Sequence, residues 1–118
     1  MKKCIAGLIT AVAVLAAFPA LAGDAGHGRD LYEIYCTQCH GINGDGGGLN
    51  VRDMSVQPRD HTDPVEMGAR TDEELVKVIR HGGKAIDKSV LMPAWGDNLS
   101  DEQIDDLVAY LRRLCCEE

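Results

Sequence analysis

Tyr35-Cys36-Thr37-Gln38-Cys39-His40-Gly41 places two thiols two residues apart, with an imidazole directly behind the second. Those residue types at that spacing can close a disulfide, supply half of a zinc site, work as a redox dithiol, or anchor a prosthetic group through two thioethers while the imidazole takes its metal. Zinc needs a second ligand pair, such as another C-x-x-C or an H-x-x-x-H, and the chain has none; Cys115-Cys116, being adjacent, makes poor geometry for two tetrahedral ligands. A redox dithiol of the thioredoxin kind opens a helix in a strand-helix setting, whereas this one closes a helix with no strand pattern nearby. C-x-x-C-H is the attachment signature of c-type haem, in which the thiols of Cys36 and Cys39 add across two vinyl groups and His40 ligates iron.

The second axial position of such an iron separates electron transfer from chemistry on a small ligand. Met54, Met67, Met92, His27, His61 and His81 are the candidates. Met92 stands in Leu91-Met92-Pro93-Ala94-Trp95, where the restricted backbone before proline can fix its side chain at a cavity edge. A thioether there is neutral and soft, and favours the reduced iron. Met54 and Met67 fall in a loop and read as packing or surface residues, and His81 suits the C-terminal end of a helix dipole. His61, close behind Pro58, and His81 are equally minor candidates for the distal position, and His27 a weaker one.

Three helical patterns must position these groups. The first, about residues 26–38, carries Leu31, Ile34, Tyr35 and Gln38 on one stripe, with Gly28 and Tyr32 beside it, and delivers the cysteine pair at its end. The second starts at the capping box Thr71-Asp72-Glu73-Glu74, turns Leu75, Val78 and Ile79 to one face and stops at Gly82-Gly83. The third is capped by Ser100 with Gln103 and runs Ile104, Leu107, Val108, Leu111 and Leu114 at helical spacing. From Gly41 to Arg70 lies a loop rich in glycine and proline, long enough to need something to wrap around. Sustained alternation of apolar and polar residues is missing, so almost no sheet is expected and the fold class is all-α.

Of 118 residues, the first 22 read as a cleaved signal peptide: Lys2-Lys3, an apolar run from Cys4, and Ala20-Leu21-Ala22 as the small-x-small end. An uncleaved membrane anchor is the rival reading, since Cys4 to Ala22 is almost uniformly apolar. Residues 23–118 then form one exported domain, expected in the periplasm. Without Lys2 and Lys3 it carries 10 basic against 19 acidic residues, a formal −9, which repels nucleic acid and suits a partner with a basic docking surface. Four aromatic side chains, Tyr32, Tyr35, Trp95 and Tyr110, make a thin protein core that a large apolar cofactor would complete. Cys115 and Cys116 are left over; neighbouring cysteines rarely bridge each other, and an exposed thiol at either would allow a disulfide-linked dimer.

Taken in order, Gly28 and Tyr32, the haem motif, Gly44-Asp45-Gly46, Pro58-Arg59-Asp60, the helix ending at Gly82, Met92-Pro93-Ala94-Trp95 and Leu99-Ser100-Asp101-Glu102 resemble the small single-haem, class I type bacterial cytochromes c, over essentially all of residues 26–114. The resemblance implies a cytochrome c-like fold of three main helices and long loops around one haem c, held by Cys36 and Cys39, with His40 and Met92 on the iron. It also implies that the first and last helices cross at Gly28, Tyr32 and Tyr110. By the same resemblance the carbonyl of Pro58 accepts the His40 Nδ1 hydrogen bond, and Trp95 lies beside the haem.

A haem closed on both faces cycles between two oxidation states without an open position for substrate, so the expected function is one-electron transfer between redox partners, not catalysis. Two alternatives stand beside it. One is a catalytic or sensing haem protein with a labile Met92; the other is an electron-entry subunit of a larger respiratory enzyme.

Overall fold

Asp24 begins the folded architecture: its carboxylate accepts the amides of Gly26 (2.8 Å) and His27 (3.2 Å), satisfying orphan donors of helix α1, Ala25–Tyr35. The computed structural model describes residues 22–117, so the expected signal segment lies, apart from Ala22, outside the described residues. The single first helix expected from the pattern is broken at Cys36 (φ −115°), and a short α2, Thr37–His40, carries the rest of the haem motif.

The long loop is less bare than expected. It contains a 3₁₀ turn, Leu49–Asp53, and a helical turn α3, Pro64–Gly68, for which Asp63 is the N-cap and Pro64 the first residue. Helix α4, Asp72–His81, has the capping box at Thr71 and Glu74 in both directions, and α5, Asp101–Cys116, has the same device at Ser100 and Gln103. A second 3₁₀ turn, Gly83–Ile86, follows α4. Among the described residues there is no strand, and none of the helices is long and apolar enough to cross a membrane.

Helices α1 and α5 cross to form the core. Leu31 and Tyr32 pack with Ile104, Leu107, Val108 and Leu111, joined by Leu75 and Ile79 of α4 and Met67 of α3. Each such side chain fully buried contributes about 1.5–3 kcal/mol of transfer free energy. Gly28 lies at the crossing, where a Cβ would meet the backbone of Asp106, and Tyr32 and Tyr110 meet edge to face at 5.3 Å. Ile34, expected on the inward stripe, is instead 67% exposed.

Two polar clamps lock this arrangement. The buried carboxylate of Asp106 accepts the Asp24 amide (2.6 Å) and holds His27 Nδ1 (2.7 Å), tying the start of α1 to α5. Arg112 reaches across from α5, donating to the carbonyls of Met67 (2.8 Å) and Arg70 (2.5 Å) and to Asp72 (2.7 Å). It thereby caps carbonyls around the end of α3, where that of Met67 also accepts the Arg70 amide (3.1 Å).

Candidate haem-binding site

Helices α1, α2 and α4, the loop from Met54 to His61 and the segment from Ser89 to Trp95 surround a cavity of ≈ 1040 Å³. Cys36, Cys39, His40, Pro58, Met92 and Trp95 all line it. So do Ile34, Val56 and Leu91, three of the large apolar side chains that remain exposed to solvent. Apolar side chains gathered on a concave wall call for an apolar occupant. Two free thiols, an imidazole and a thioether lining the same cavity are the donor set of a c-type haem, and the residues fit that group.

The Cys36 thiol argues against dithiol chemistry. Burial, with the neighbouring Cys39 adding to it, pushes the Cys36 thiol up to about 12. A catalytic or zinc-binding cysteine needs the reverse, a thiol pushed towards its thiolate.

His40 is held by an outer-shell bond of the expected kind from an unexpected residue. Its Nδ1–H donates to the carbonyl of Arg59 (3.1 Å), not to that of Pro58. The reason lies in the loop register: the amide of His61 is bonded to the Gly44 carbonyl (2.7 Å), which seats residues 58–61 against the glycine loop. In that register the Pro58 carbonyl faces Gly46, where an added Cβ would stand 2.9 Å from it and where φ is +81°. Burial lowers the pKa of His40, against the opposing pull of the Arg59 carbonyl, so the ring is held neutral, the form that ligates metal.

Met92 is fixed through its backbone. Its carbonyl accepts the Gly83 amide (3.1 Å), and the amides of Trp95 and Gly96 donate to Ile79 (2.9 Å) and Arg80 (3.0 Å). These bonds use carbonyls that the end of α4 leaves free. The close approach needs glycine at position 82, with φ at +79° and room for a Cβ only 2.9 Å from the Met92 oxygen. Trp95 stands edge to face with Tyr35 at 5.2 Å. Met67, 1% exposed, packs under the cavity, in keeping with the packing role expected of it.

His61 is placed where the sequence did not put it. It is nearly buried, its Nδ1 lies 3.0 Å from Tyr32 Oη, and its ring stacks on that of His40 with centroids 4.1 Å apart and planes 18° from parallel. A residue stacked on His40 is not its axial opposite, which removes His61 as a distal ligand. His27 is engaged with Asp106, and His81 is exposed at the end of α4. The signal that was available for His61 is its spacing from Pro58; its partner Tyr32, 29 residues earlier, is visible only in three dimensions.

At the end of α5 the structure overturns a further expectation. Cys115 and Cys116 are bonded to each other, so neither thiol is left to link two chains. Adjacent cysteines are a rare pairing because the ring they close is small; here both sit in the last turn of the helix, where fewer backbone bonds oppose it.

A family profile described as cytochrome C oxidase, cbb3-type, subunit III matches residues 23–111. The chain is 33% identical over 115 residues to cytochrome c6 of Gloeothece citriformis, covering 94% of this chain and 93% of that one. Among solved structures it superposes on a chain of the reducing HAO-like protein complex of Kuenenia stuttgartiensis with a TM-score of 0.61 and 31% identity, over 75% of this chain and 41% of that one. Cytochrome c6 of the diatom Phaeodactylum tricornutum superposes with a TM-score of 0.52 and 27% identity, over 75% and 91%. The all-α frame, the cavity with its donor set and these matches have one conclusion: the chain belongs to the cytochrome c family and is an electron carrier with one covalently bound haem c.

Proposed function

We propose that the protein is an exported one-electron carrier in which Cys36 and Cys39 form the thioether anchors and His40 and Met92 are the axial ligands. One observation carries the reading: all four side chains line one cavity, where the Arg59 carbonyl holds the His40 ring and the Gly83 amide holds the Met92 backbone. The haem supplies reversible exchange of a single electron between ferric and ferrous iron. What the chain contributes is binding and environment. The Arg59 carbonyl orients the His40 ring and raises its basicity as a ligand. The Gly82-Gly83 and Ile79 contacts keep Met92 from swinging away, and with Trp95 they limit access of small ligands from that segment. Pro58 acts by setting the loop that presents Arg59, and Trp95 covers the cavity edge.

With redox proteins as partners, the formal −9 on residues 23–118 favours encounter with basic docking surfaces, weakened by salt. Residues 1–22 address the chain to the periplasm and are removed. The match to one chain of a multi-protein reducing complex favours a second reading, a carrier that stays bound to a larger enzyme; copurification at low and high salt separates the two.

Visible and electron paramagnetic resonance spectra of the purified holoprotein test the ligation. The wild type is expected to be six-coordinate and low-spin in both states. Met92→His should stay low-spin at a lower reduction potential, and Met92→Ala should open a position that binds carbon monoxide rapidly. A five-coordinate high-spin wild type, or carbon monoxide binding as fast in the wild type as in Met92→Ala, would mean a catalytic or sensing haem with a labile Met92.

A further inference from the structure

Tyr32, His61 and His40 form a continuous chain of contacts that the ligation scheme does not use. Tyr32 is 1% exposed and His61 9%, so both polar groups are taken out of water and must find partners inside the protein. They find each other at 3.0 Å. Beyond the hydrogen bond, the His61 ring lies flat on His40, 4.1 Å between centroids at 18°. Its backbone is fixed as well, through its amide on the Gly44 carbonyl at 2.7 Å.

A purely apolar filler would serve the core at lower cost. Burying an imidazole and a phenol requires both to be desolvated, and leaving either unpaired costs about 1–3 kcal/mol. An imidazole kept at such a place has its plane set twice, by the Tyr32 hydroxyl at its edge and by the His40 ring on its face. The Arg59 carbonyl fixes His40 through one atom and leaves rotation about that bond; a flat neighbour removes that freedom.

We propose that His61 is a positioning residue for the iron ligand: anchored by Tyr32 and Gly44, its ring sets the plane of His40 in the haem pocket. This rests on His40 being an axial ligand, as argued above. The orientation of an axial imidazole governs the anisotropy of the low-spin ferric signal and contributes to the reduction potential, both of which a merely space-filling residue leaves alone.

The test uses holoprotein with His61→Phe, His61→Leu, Tyr32→Phe and, separately, His40→Ala. His61→Leu removes the flat ring, and is expected to shift the ferric g values and change the equilibrium constant for reduction against a reference couple by about twofold or more, the scale of one aromatic contact. His61→Phe keeps a flat ring and should bring the mean g values back near wild type, with the broadening that loss of the Tyr32 bond causes. Tyr32→Phe, which frees the edge of His61 without removing it, should broaden the g values while leaving their mean near wild type. Wild-type g values and potential in His61→Leu, with only a lower melting temperature, would overturn the proposal and leave His61 a core residue. His40→Ala tests the underlying ligation independently: an unchanged low-spin signal there shows that His40 is not the ligand, whatever the His61 variants do.

Discussion

Gly28→Ala puts the helix crossing to a quantitative test. Gly28 sits inside α1, where replacing glycine by alanine ordinarily stabilises a helix by about 0.5–1 kcal/mol. At this position a Cβ would come within 2.5 Å of the Asp106 carbonyl carbon and 3.0 Å of Tyr110 Cβ, and closer still to the Asp106 oxygen. Those Asp106 atoms are helix backbone, which cannot rotate away as a side chain would. Restoring ordinary contact requires α1 and α5 to part by roughly 1 Å, and a gap of that size forfeits about a quarter to a half of the dispersion energy across it. Leu31 and Tyr32 lie on one side of that gap, with Ile104, Leu107, Val108 and Leu111 on the other.

Overpacking costs about 1–3 kcal/mol and, against helix backbone, the upper end of about 3 kcal/mol applies, so after the propensity gain of about 0.5–1 kcal/mol a net loss near 2 kcal/mol is expected. In a domain of this size that lowers the melting temperature by roughly 8–16 °C, measured by circular dichroism on the holoprotein. Gly68→Ala is the control, because its Cβ meets nothing within 4 Å; it should melt at or slightly above wild type, by about 0.4–1 kcal/mol. A Gly28→Ala protein that melts with the control would refute the close crossing.

Three further outcomes follow from the clamps and caps. Arg112→Lys should be nearly as destabilising as Arg112→Ala, each by about 2 kcal/mol in urea unfolding, because an ammonium cannot reach the Met67 and Arg70 carbonyls and Asp72 together; full rescue by lysine would reduce Arg112 to a surface charge. The protein should elute as the same species with and without reductant, and take up two extra alkyl groups at Cys115 and Cys116 only after reduction. A reductant-sensitive dimer would contradict the pairing within one chain. Asp24 and Asp60 are held below the usual carboxylate range, Asp24 by the amides of His27 and Gly26, Asp60 by the Thr62 hydroxyl and amide. Their folded values lie below the unfolded ones, so their stabilisation is present above about pH 4 and is lost as pH falls through the lowered folded values. The double variant Asp24→Asn, Asp60→Asn should therefore lose less melting temperature between about pH 5 and 3 than wild type does; equal slopes would place the acid sensitivity elsewhere.

The features legible in the sequence are those whose partners lie within one helical turn. Thr71 with Glu74 and Ser100 with Gln103 are reciprocal over three residues, so both boxes appear in the structure where the pattern put them. Asp63-Pro64 carries the same kind of local signal, and the turn it opens was lost only because the surrounding loop reads as featureless. The haem motif is legible for a related reason, since its spacing is dictated by the cofactor and not by the rest of the fold.

Long-range choices are another matter, and the two corrections in the site show why. Assigning the His40 acceptor to Pro58 missed by a single residue, because which carbonyl faces the ring depends on how residues 58–61 seat against Gly44, a contact between segments with no shared periodicity. His61 was weighed as a ligand because imidazoles ligate iron. Its real surroundings, the Tyr32 hydroxyl and the His40 face, are set by α1 passing behind the loop, and α1 passes there because Gly28 lets it approach α5. The placement of His40 thus depends on a glycine twelve residues before it, through a tyrosine on the same helix. That dependence couples two expected outcomes: if Gly28→Ala opens the crossing, it should displace Tyr32, and with it disturb the His40 signal in the manner of Tyr32→Phe.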